Sequence, residues 1–313
     1  MAFRGVYFFP ANSRIDFMSM RKLCFVLSAI MILGSIILIP TKGLNFGIDF
    51  SGGMLMEVKS LSGPADLSAM RGTLSGLGLG EVTLQEFGEP EDVLIRVQRQ
   101  EGDQAAQLEA VEVVKKALGS DYEYRRTEFV GPKVGDELIS DAIWAVVLAM
   151  FGIAAYIWFR YEWQFAVNAL IAVFHDVITT VGLFALLGME FNLTTVAAIL
   201  TIAGYSINDT VVVFDRIREN MRKFKKMPLP QLLNDSVNQT LSRTVITGGT
   251  TLAAVVALYA LGGEVIRGFS FAIIWGIIVG TYSSICVAAP LLLYLNIKRG
   301  GKVIEEAAAQ QSP

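Results

Sequence analysis

The chain has 313 residues and a formal net charge of −3; 53% of the residues are hydrophobic, 18% are charged, and the mean hydropathy is +0.51. This composition excludes an ordinary soluble domain and indicates an integral membrane protein. Cys24 and Cys286 both lie in apolar stretches, so no disulfide framework is expected.

Six apolar stretches approach the roughly 20 residues that a membrane-spanning helix needs. The first ends without a small-residue cleavage site, so we interpret it as a retained anchor and not as a signal peptide. The predicted spans are residues 23–40, 142–159, 164–187, 193–214, 244–261 and 268–295.

The distribution of Lys and Arg predicts the orientation, because cytoplasmic loops carry the excess of positive charge. Basic residues precede the first span and follow the second, fourth and sixth, whereas the short turns on the other side carry only Arg267. Both termini are therefore expected in the cytoplasm. The predicted organisation is a cytoplasmic arm (1–22), span one (23–40), an outer domain (41–140), spans two to six (141–296) with a cytoplasmic amphipathic loop (216–242), and a cytoplasmic tail (297–313).

The outer domain shows strand and helix patterns in the order strand, helix, strand, strand, helix, strand. This βαββαβ order predicts a small α+β domain of the ferredoxin-like type. It holds no clustered set of His, Cys or carboxylates, so we expect a binding surface and no catalytic site. Residues 129–142 are expected to form the linker back into the membrane. The predicted strands and helices are residues 54–58, 65–77, 82–87, 93–97, 104–118 and 122–130.

The third span holds His175, the only histidine of the chain, beside Asp176. At 1.5 Å per residue the pair lies about 18 Å from the start of the span, near the middle of the bilayer. Ionisable residues at this depth are costly and often functional, which favours a role in proton movement. A hydrogen-bonded core pair without proton traffic is the structural alternative.

The fourth span places Asn208 and Asp209 inside apolar sequence, and Arg243 opens the fifth. An ionisable side chain at a helix centre costs about 2.5 to 3.5 kcal/mol and favours a partner. We predict that Asp209 and Arg243 pair on facing helices as a proton relay. A static salt bridge that only holds the helices together is the alternative. The supporting polar track is predicted at Asn208, Thr247, Thr250 and Thr251.

Two further patterns predict packing surfaces. The loop at 216–242 contains a basic run, suited to anionic lipid, and an amphipathic helix with an apolar face. The sixth span has a small residue at every fourth position, which lets another helix approach closely. The apolar face is Leu232, Leu233, Val237 and Leu241, and the small residues are Ala272, Gly276, Gly280, Ser284 and Ala288.

Five segments are similar to characteristic segments of the SecF family, a branch of the RND superfamily and part of the accessory complex of the bacterial Sec protein-export machinery. The resemblance covers nearly the whole chain, from residue 21 to about residue 298. The segments are GIDFSGG after the first span, VGPKVGDEL before the second, AVFHDVITT in the third, GYSINDTVVVFDRIREN through the fourth and LSRTVITGGTTL at the start of the fifth.

The resemblance implies a six-span half-transporter of the bacterial inner membrane whose ferredoxin-like domain is periplasmic. It implies pairing with SecD beside the SecYEG channel and use of the proton gradient to help move exported preprotein. Asp209 and Arg243 match the family's proton-relay positions. Membrane lipids are expected partners, whereas enzymatic activity, a cofactor, a metal site and a nucleic-acid partner are not expected; no G-x-x-x-x-G-K-[ST] phosphate loop occurs in the chain.

Three other functions are compatible with parts of the pattern. Half of an RND-type proton-driven exporter of lipids or small hydrophobic molecules would share the spans and charges, although such pumps usually have larger outer domains. An intramembrane aspartyl protease would need two carboxylates at one depth, but Asp176 and Asp209 differ by about 7 Å in height. A scaffold without proton traffic predicts that Asp209 and Arg243 tolerate an apolar pair.

Overall fold

A computed structural model describes residues 14–80, 82–98, 100, 104–295 and 297. Most of the predicted arm (residues 1–13) and the predicted tail beyond residue 297 lie outside the described residues. In chain order the elements are α1 (Arg21–Lys42), β1 (Asn45–Phe46), α2 (Ile48–Ser51), β2 (Gly53–Ser60), α3 (Leu67–Ser75), β3 (Val82–Phe87), β4 (Glu89–Val97), α4 (Gln104–Leu118), β5 (Tyr122–Val130), α5 (Pro132–Arg160), α6 (Trp163–Leu187), β6 (Glu190–Phe191), α7 (Leu193–Lys223), α8 (Leu229–Leu261), α9 (Arg267–Ser283) and α10 (Ala289–Leu291).

Within the described residues, 6 helices are long and apolar enough to cross a membrane. They are α1, α5, α6, α7, α8 and α9, the last of which continues through a π-helical stretch, Ser284–Ala288, into α10. Each predicted span coincides with one of these helices.

Two segments predicted as connections are helical instead. The linker at 129–142 is helical from Pro132, because the fixed φ of proline suits the first turn of a helix. The loop at 216–242 consists of the end of α7 and the start of α8, joined at residues 224–228. Hydropathy marks only the apolar part of a helix, whereas Arg, Lys, Glu and Gln extend it well beyond that part.

The centre of the helix bundle is formed by α6, α7 and α9, each about half buried, whereas α1, α5 and α8 are 17% buried or less. The three central helices approach closely because of the predicted stripe of small residues. A Cβ atom added to Gly276 would collide with the Ile202 side chain, and one added to Gly280 would lie 3.2 Å from Ser206 Cβ. The small residues of α9 therefore serve packing inside the chain.

The apolar face predicted for the amphipathic segment is also buried. Leu232, Leu233 and Val237 are fully enclosed and pack against Phe214 and Ile217 of α7. They belong to the same continuous helix as the fifth span, since α8 runs without a break from Leu229 to Leu261.

Residues 53–130 form an α/β domain inserted between α1 and α5. Its strands make one antiparallel sheet in the order β3-β4-β2-β5, and α3 and α4 follow the first and third strands in sequence. The alternate residues Met54, Met56 and Val58 of β2 are buried with side chains of both helices. The period-two pattern of the sequence thus selects the face that the helices cover.

Several contacts join the α/β domain and its entry segment to the bundle, including the following three. The two-residue strands β1 and β6 pair in parallel. Asp49 accepts a hydrogen bond from the backbone N–H of Leu193, at 2.9 Å, at the start of α7. Arg96 of β4 forms an ion pair with Glu190. The start of α7 is therefore fixed directly to the base of this domain.

Candidate functional site

Asp176 forms the most enclosed polar centre of the bundle. Its Oδ1 lies 2.9 Å from His175 Nδ1, and its Oδ2 accepts hydrogen bonds from Ser206 Oγ at 2.5 Å and Ser283 Oγ at 2.8 Å. All four side chains are completely buried. Because the serines belong to α7 and α9, one carboxylate of α6 binds the three central helices together.

His175 completes this centre from the side of α6. Its Nδ1 contacts Asp176, whereas Nε2 is buried without a hydrogen-bond partner among the described residues. The ring lies 6.0 Å from that of Tyr282. His175 therefore contacts Asp176 through one ring nitrogen, whereas the described residues offer the other nitrogen no hydrogen bond.

Asp209 lies on α7, toward α8. Its Oδ1 accepts a hydrogen bond from Thr244 Oγ1 at 2.6 Å. Its Oδ2 is buried and has no hydrogen-bond partner among the described residues. This carboxylate is therefore only half satisfied by the described chain, unlike Asp176.

The predicted ion pair between Asp209 and Arg243 is not formed in this structure. None of the ion pairs among the described residues includes Arg243, whose side chain is exposed. Successive residues of an α-helix point about 100° apart, so Thr244 faces α7 and Arg243 is turned to the outer surface of α8. Arg243 still interacts electrostatically with Asp209, so their assignment as a relay pair stays a prediction.

A pair of buried hydroxyl groups joins α7 to the π-helical stretch that follows α9. Thr210 Oγ1 and Ser284 Oγ are 2.8 Å apart, and Ser284 also donates to the Gly280 carbonyl at 2.9 Å. Ser284 begins the π-helical stretch, a distortion that often marks functional positions in membrane and soluble helices. The π-helical distortion therefore begins at the residue that forms this polar contact with α7.

The predicted polar track lies mainly on the surface of the chain. Asn208, Thr247 and Thr250 are exposed and Thr251 is partly buried. The Thr250 and Thr251 hydroxyls donate to carbonyls of their own helix. Together with Arg243 these residues form a polar strip along the exposed side of α7 and α8.

Sequence reasoning missed three side chains of the two centres, namely Ser206, Ser283 and Thr244. Ser206 lies three residues before Asp209 in apolar sequence, and Ser283 lies beside the stripe of small residues. A hydroxyl in an apolar helix is not a distinctive signal, since it can also bond its own backbone. Only the packing of α6, α7 and α9 reveals which hydroxyls meet a carboxylate.

The fold and these centres define a multi-pass helical membrane protein with ionisable side chains inside the bundle, a class in which such residues mark transport pathways. The family pattern described as "Protein export membrane protein SecD/SecF, C-terminal" matches residues 110–298, and that of the "SecD/SecF GG Motif" matches residues 37–60. The chain belongs to the SecF family of protein translocase subunits.

Relatives named protein translocase subunit SecF match over nearly their whole length. That of Cereibacter sphaeroides is 45% identical over 99% of this chain and 98% of its own. That of Rhodobacter capsulatus is 48% identical over 96% of this chain and 94% of its own. The family is one of accessory subunits of protein export in the bacterial inner membrane and not one of enzymes.

Two solved structures share the fold. The crystal structure of SecDF from Thermus thermophilus, a translocon-associated membrane protein, has a TM-score of 0.80 and 36% identity over 91% of this chain. SecDF in its super-membrane-facing form has a TM-score of 0.68 and 34% identity over 96% of this chain. The chain spans only 39% and 40% of those two longer chains.

Proposed function

We propose that the chain pairs with SecD and uses the proton-motive force to assist Sec-dependent export of preproteins beside the SecYEG channel. The proton-exchanging group in this proposal is Asp209, and Arg243 is its electrostatic partner. In this proposal both termini lie in the cytoplasm. The α/β domain is a ferredoxin-like domain and lies in the periplasm.

The half-satisfied carboxylate of Asp209 is the observation that carries this proposal. One oxygen is held by Thr244 at 2.6 Å, and the other is buried without a hydrogen-bond partner among the described residues. Protonation of the free oxygen removes a buried charge, whereas ionisation calls for a cation. The group thus has two states with different preferred surroundings, as a proton-driven switch requires.

Arg243 supplies the cation in a second arrangement of α7 and α8. It precedes Thr244 in sequence, so a rotation of α8 would exchange the hydroxyl for the guanidinium. Moving one charge through the membrane potential supplies about 2.3 kcal/mol per 100 mV, which is enough to bias two such arrangements.

SecD is proposed to cover the polar strip of α7 and α8. Arg243, Asn208 and Thr247 are exposed on this chain, and exposed polar side chains in hydrocarbon are costly. A helix of a partner subunit would enclose them and add further ionisable groups. The longer SecDF chains, of which this chain spans 39% and 40%, provide the precedent.

His175 and Asp176 are proposed as the second part of the relay. Neither side chain exchanges protons directly with solvent, because both are completely buried. Protonation of Asp176 would weaken the hydrogen bonds that its Oδ2 accepts from Ser206 and Ser283 and so loosen α7 and α9. The pair would therefore transmit a change of state at Asp209 to the rest of the bundle.

The test replaces Asp209 by Asn in the full chain assembled with SecD. The variant is expected to assemble normally but to lose the stimulation of preprotein export by a proton gradient in membrane vesicles. Asp141→Asn is the matched control, since it removes the charge of an exposed carboxylate on α5 that belongs to neither polar centre, and it is expected to retain most of the stimulation. Full stimulation in Asp209→Asn would refute the relay role.

A further inference from the structure

A charged cavity lies at the end of the bundle opposite the α/β domain. It has a volume of about 400 Å³ and opens between the end of α5 and the last turns of α7. It is distinct from both carboxylate centres, since neither Asp176 nor Asp209 lines it. The lining residues are Arg160, Asp215, Arg218, Glu219, Arg222 and Lys223.

The spacing along α7 brings the charged side chains to one face. The residues of α7 that line the cavity follow one another at intervals of three, one, three and one, the pattern of a single helical stripe. Arg160 reaches the same space from the end of α5. The cavity therefore gathers four basic and two acidic side chains.

Tyr161 holds two of the arginines in place. The Arg160 and Arg218 guanidinium carbons lie 5.2 and 5.6 Å from the centre of its ring, and Arg218 Nη1 donates to the Arg160 carbonyl at 3.2 Å. The Tyr161 hydroxyl donates to Asp215 at 2.7 Å, and burial, with this hydrogen bond, raises the pKa of the phenol. Both guanidinium groups are thus oriented before any ligand arrives.

The acidic side chains of the cavity are already engaged, which leaves positive charge available. Asp215 accepts from Tyr161 and lies 3.8 Å from Arg160, while Glu219 pairs with Arg216 at 2.9 Å, outside the lining. The ion pairs among the described residues include none of Arg218, Arg222 and Lys223. Three basic side chains without an ion pair among the described residues therefore converge on one concave space.

We propose that this cavity binds a phosphate group, and that its source is the headgroup of an anionic phospholipid. Arginine forks match phosphate oxygens bidentately, and a basic pocket at the end of membrane helices lies at headgroup level. A soluble phosphate compound offers the same chemistry without acyl chains. A phosphate bound by Arg160 and by the basic residues of α7 would stabilise the contact between the end of α7 and the turn between α5 and α6.

The experiment measures lipid binding to the purified full chain in detergent micelles by native mass spectrometry. Phosphatidylglycerol, phosphatidylcholine and inorganic phosphate are titrated separately. The variant Arg222→Gln/Lys223→Gln removes two cavity charges that form no ion pair among the described residues. Its matched control, Lys225→Gln/Lys226→Gln, removes the same charge from exposed residues outside the lining.

The cavity variant is expected to bind phosphatidylglycerol about tenfold more weakly, a loss of about 1.4 kcal/mol in binding free energy. The affinity of the control variant should change less than about twofold. If millimolar inorganic phosphate displaced phosphatidylglycerol, the result would support a phosphate site in this cavity. It would also indicate that the natural ligand is a soluble phosphate compound, and so overturn the lipid part of the proposal. Equal weakening in both variants, or equal binding of phosphatidylcholine and phosphatidylglycerol, would overturn the proposal. If the double variant does not keep the unfolding midpoint of the parent, Arg222→Gln alone is compared with Lys225→Gln.

Discussion

The two intramembrane carboxylates differ in how completely the chain satisfies them. Asp176 is fully buried and has both oxygens engaged, by His175 on one side and by Ser206 and Ser283 on the other. Asp209 has one hydrogen bond, from Thr244, and one oxygen without a hydrogen-bond partner among the described residues.

This difference fits the proposal that Asp209 changes its partner during proton exchange, whereas Asp176 holds three helices together and responds to Asp209 indirectly. Changing the state of Asp176 disturbs three helices at once, so its surroundings favour one arrangement. The proposed second partner of Asp209, Arg243, lies on the same helix as Thr244, so the proposed change of partner needs only a rotation of α8. Two aspartates that both lie in apolar helices can thus have different roles, because the side chains around them differ.

The largest expected effect comes from removing each carboxylate in turn. Asp176→Ala leaves buried Ser206 and His175 without their carboxylate partner and Ser283 with only the Gly280 carbonyl, and we expect it to lower the free energy of unfolding by about 3–5 kcal/mol. Asp209→Ala removes one hydrogen bond and is expected to cost about 1 kcal/mol. Reversible unfolding of the full chain in mixed micelles measures both, and equal losses would contradict the comparison.

A second test removes one donor of the Asp176 centre. Ser283→Ala leaves Oδ2 with only the Ser206 hydroxyl, and we expect a loss of about 1–3 kcal/mol in the free energy of unfolding. Thr201→Ala is the control, because Thr201 is exposed and its hydroxyl bonds Ala197 of its own helix. A Ser283 variant as stable as the parent would show that the contact is not needed.

A third test changes the space around the same centre. An Ala Cβ at Gly280 would lie 3.2 Å from Ser206 Cβ and 3.5 Å from Asp176 Oδ2, so we expect Gly280→Ala to destabilise the bundle by about 1–2 kcal/mol. At Gly249 of α8 no heavy atom lies within 4 Å of such a Cβ. Gly249→Ala should therefore be neutral or slightly stabilising, and thermal melts that rank the two variants the other way would refute the packing argument.

The smallest effect on stability is expected at the partner of Asp209. Thr244→Val keeps the shape but removes the hydroxyl that holds Oδ1, which should cost about 1 kcal/mol in unfolding. It should also reduce, without abolishing, gradient-driven export, since the carboxylate remains. Thr201→Val serves as control in the same vesicle assay, and an unchanged rate in Thr244→Val would separate this contact from the relay.

The sequence predicted most of the architecture because its signals are local. Apolar runs located all six long helices, period-two alternation located the strands of the α/β domain, and the five characteristic segments identified the family. The helix ends were missed at 129–142 and 216–242, where polar residues with high helix propensity continue the helices past the apolar runs.

The contacts within the two polar centres could not be predicted from local sequence patterns. The sequence by itself determined that Asp176 and Asp209 would lie in membrane helices, because each lies within an apolar run, and that Arg243 would lie at the start of the fifth span. The tertiary structure alone decided that Asp176 meets Ser206 and Ser283, and that Asp209 meets Thr244 and not Arg243. Those contacts depend on the rotation of each helix about its axis, which the packing of small residues between α7 and α9 sets and which a hydropathy pattern does not encode.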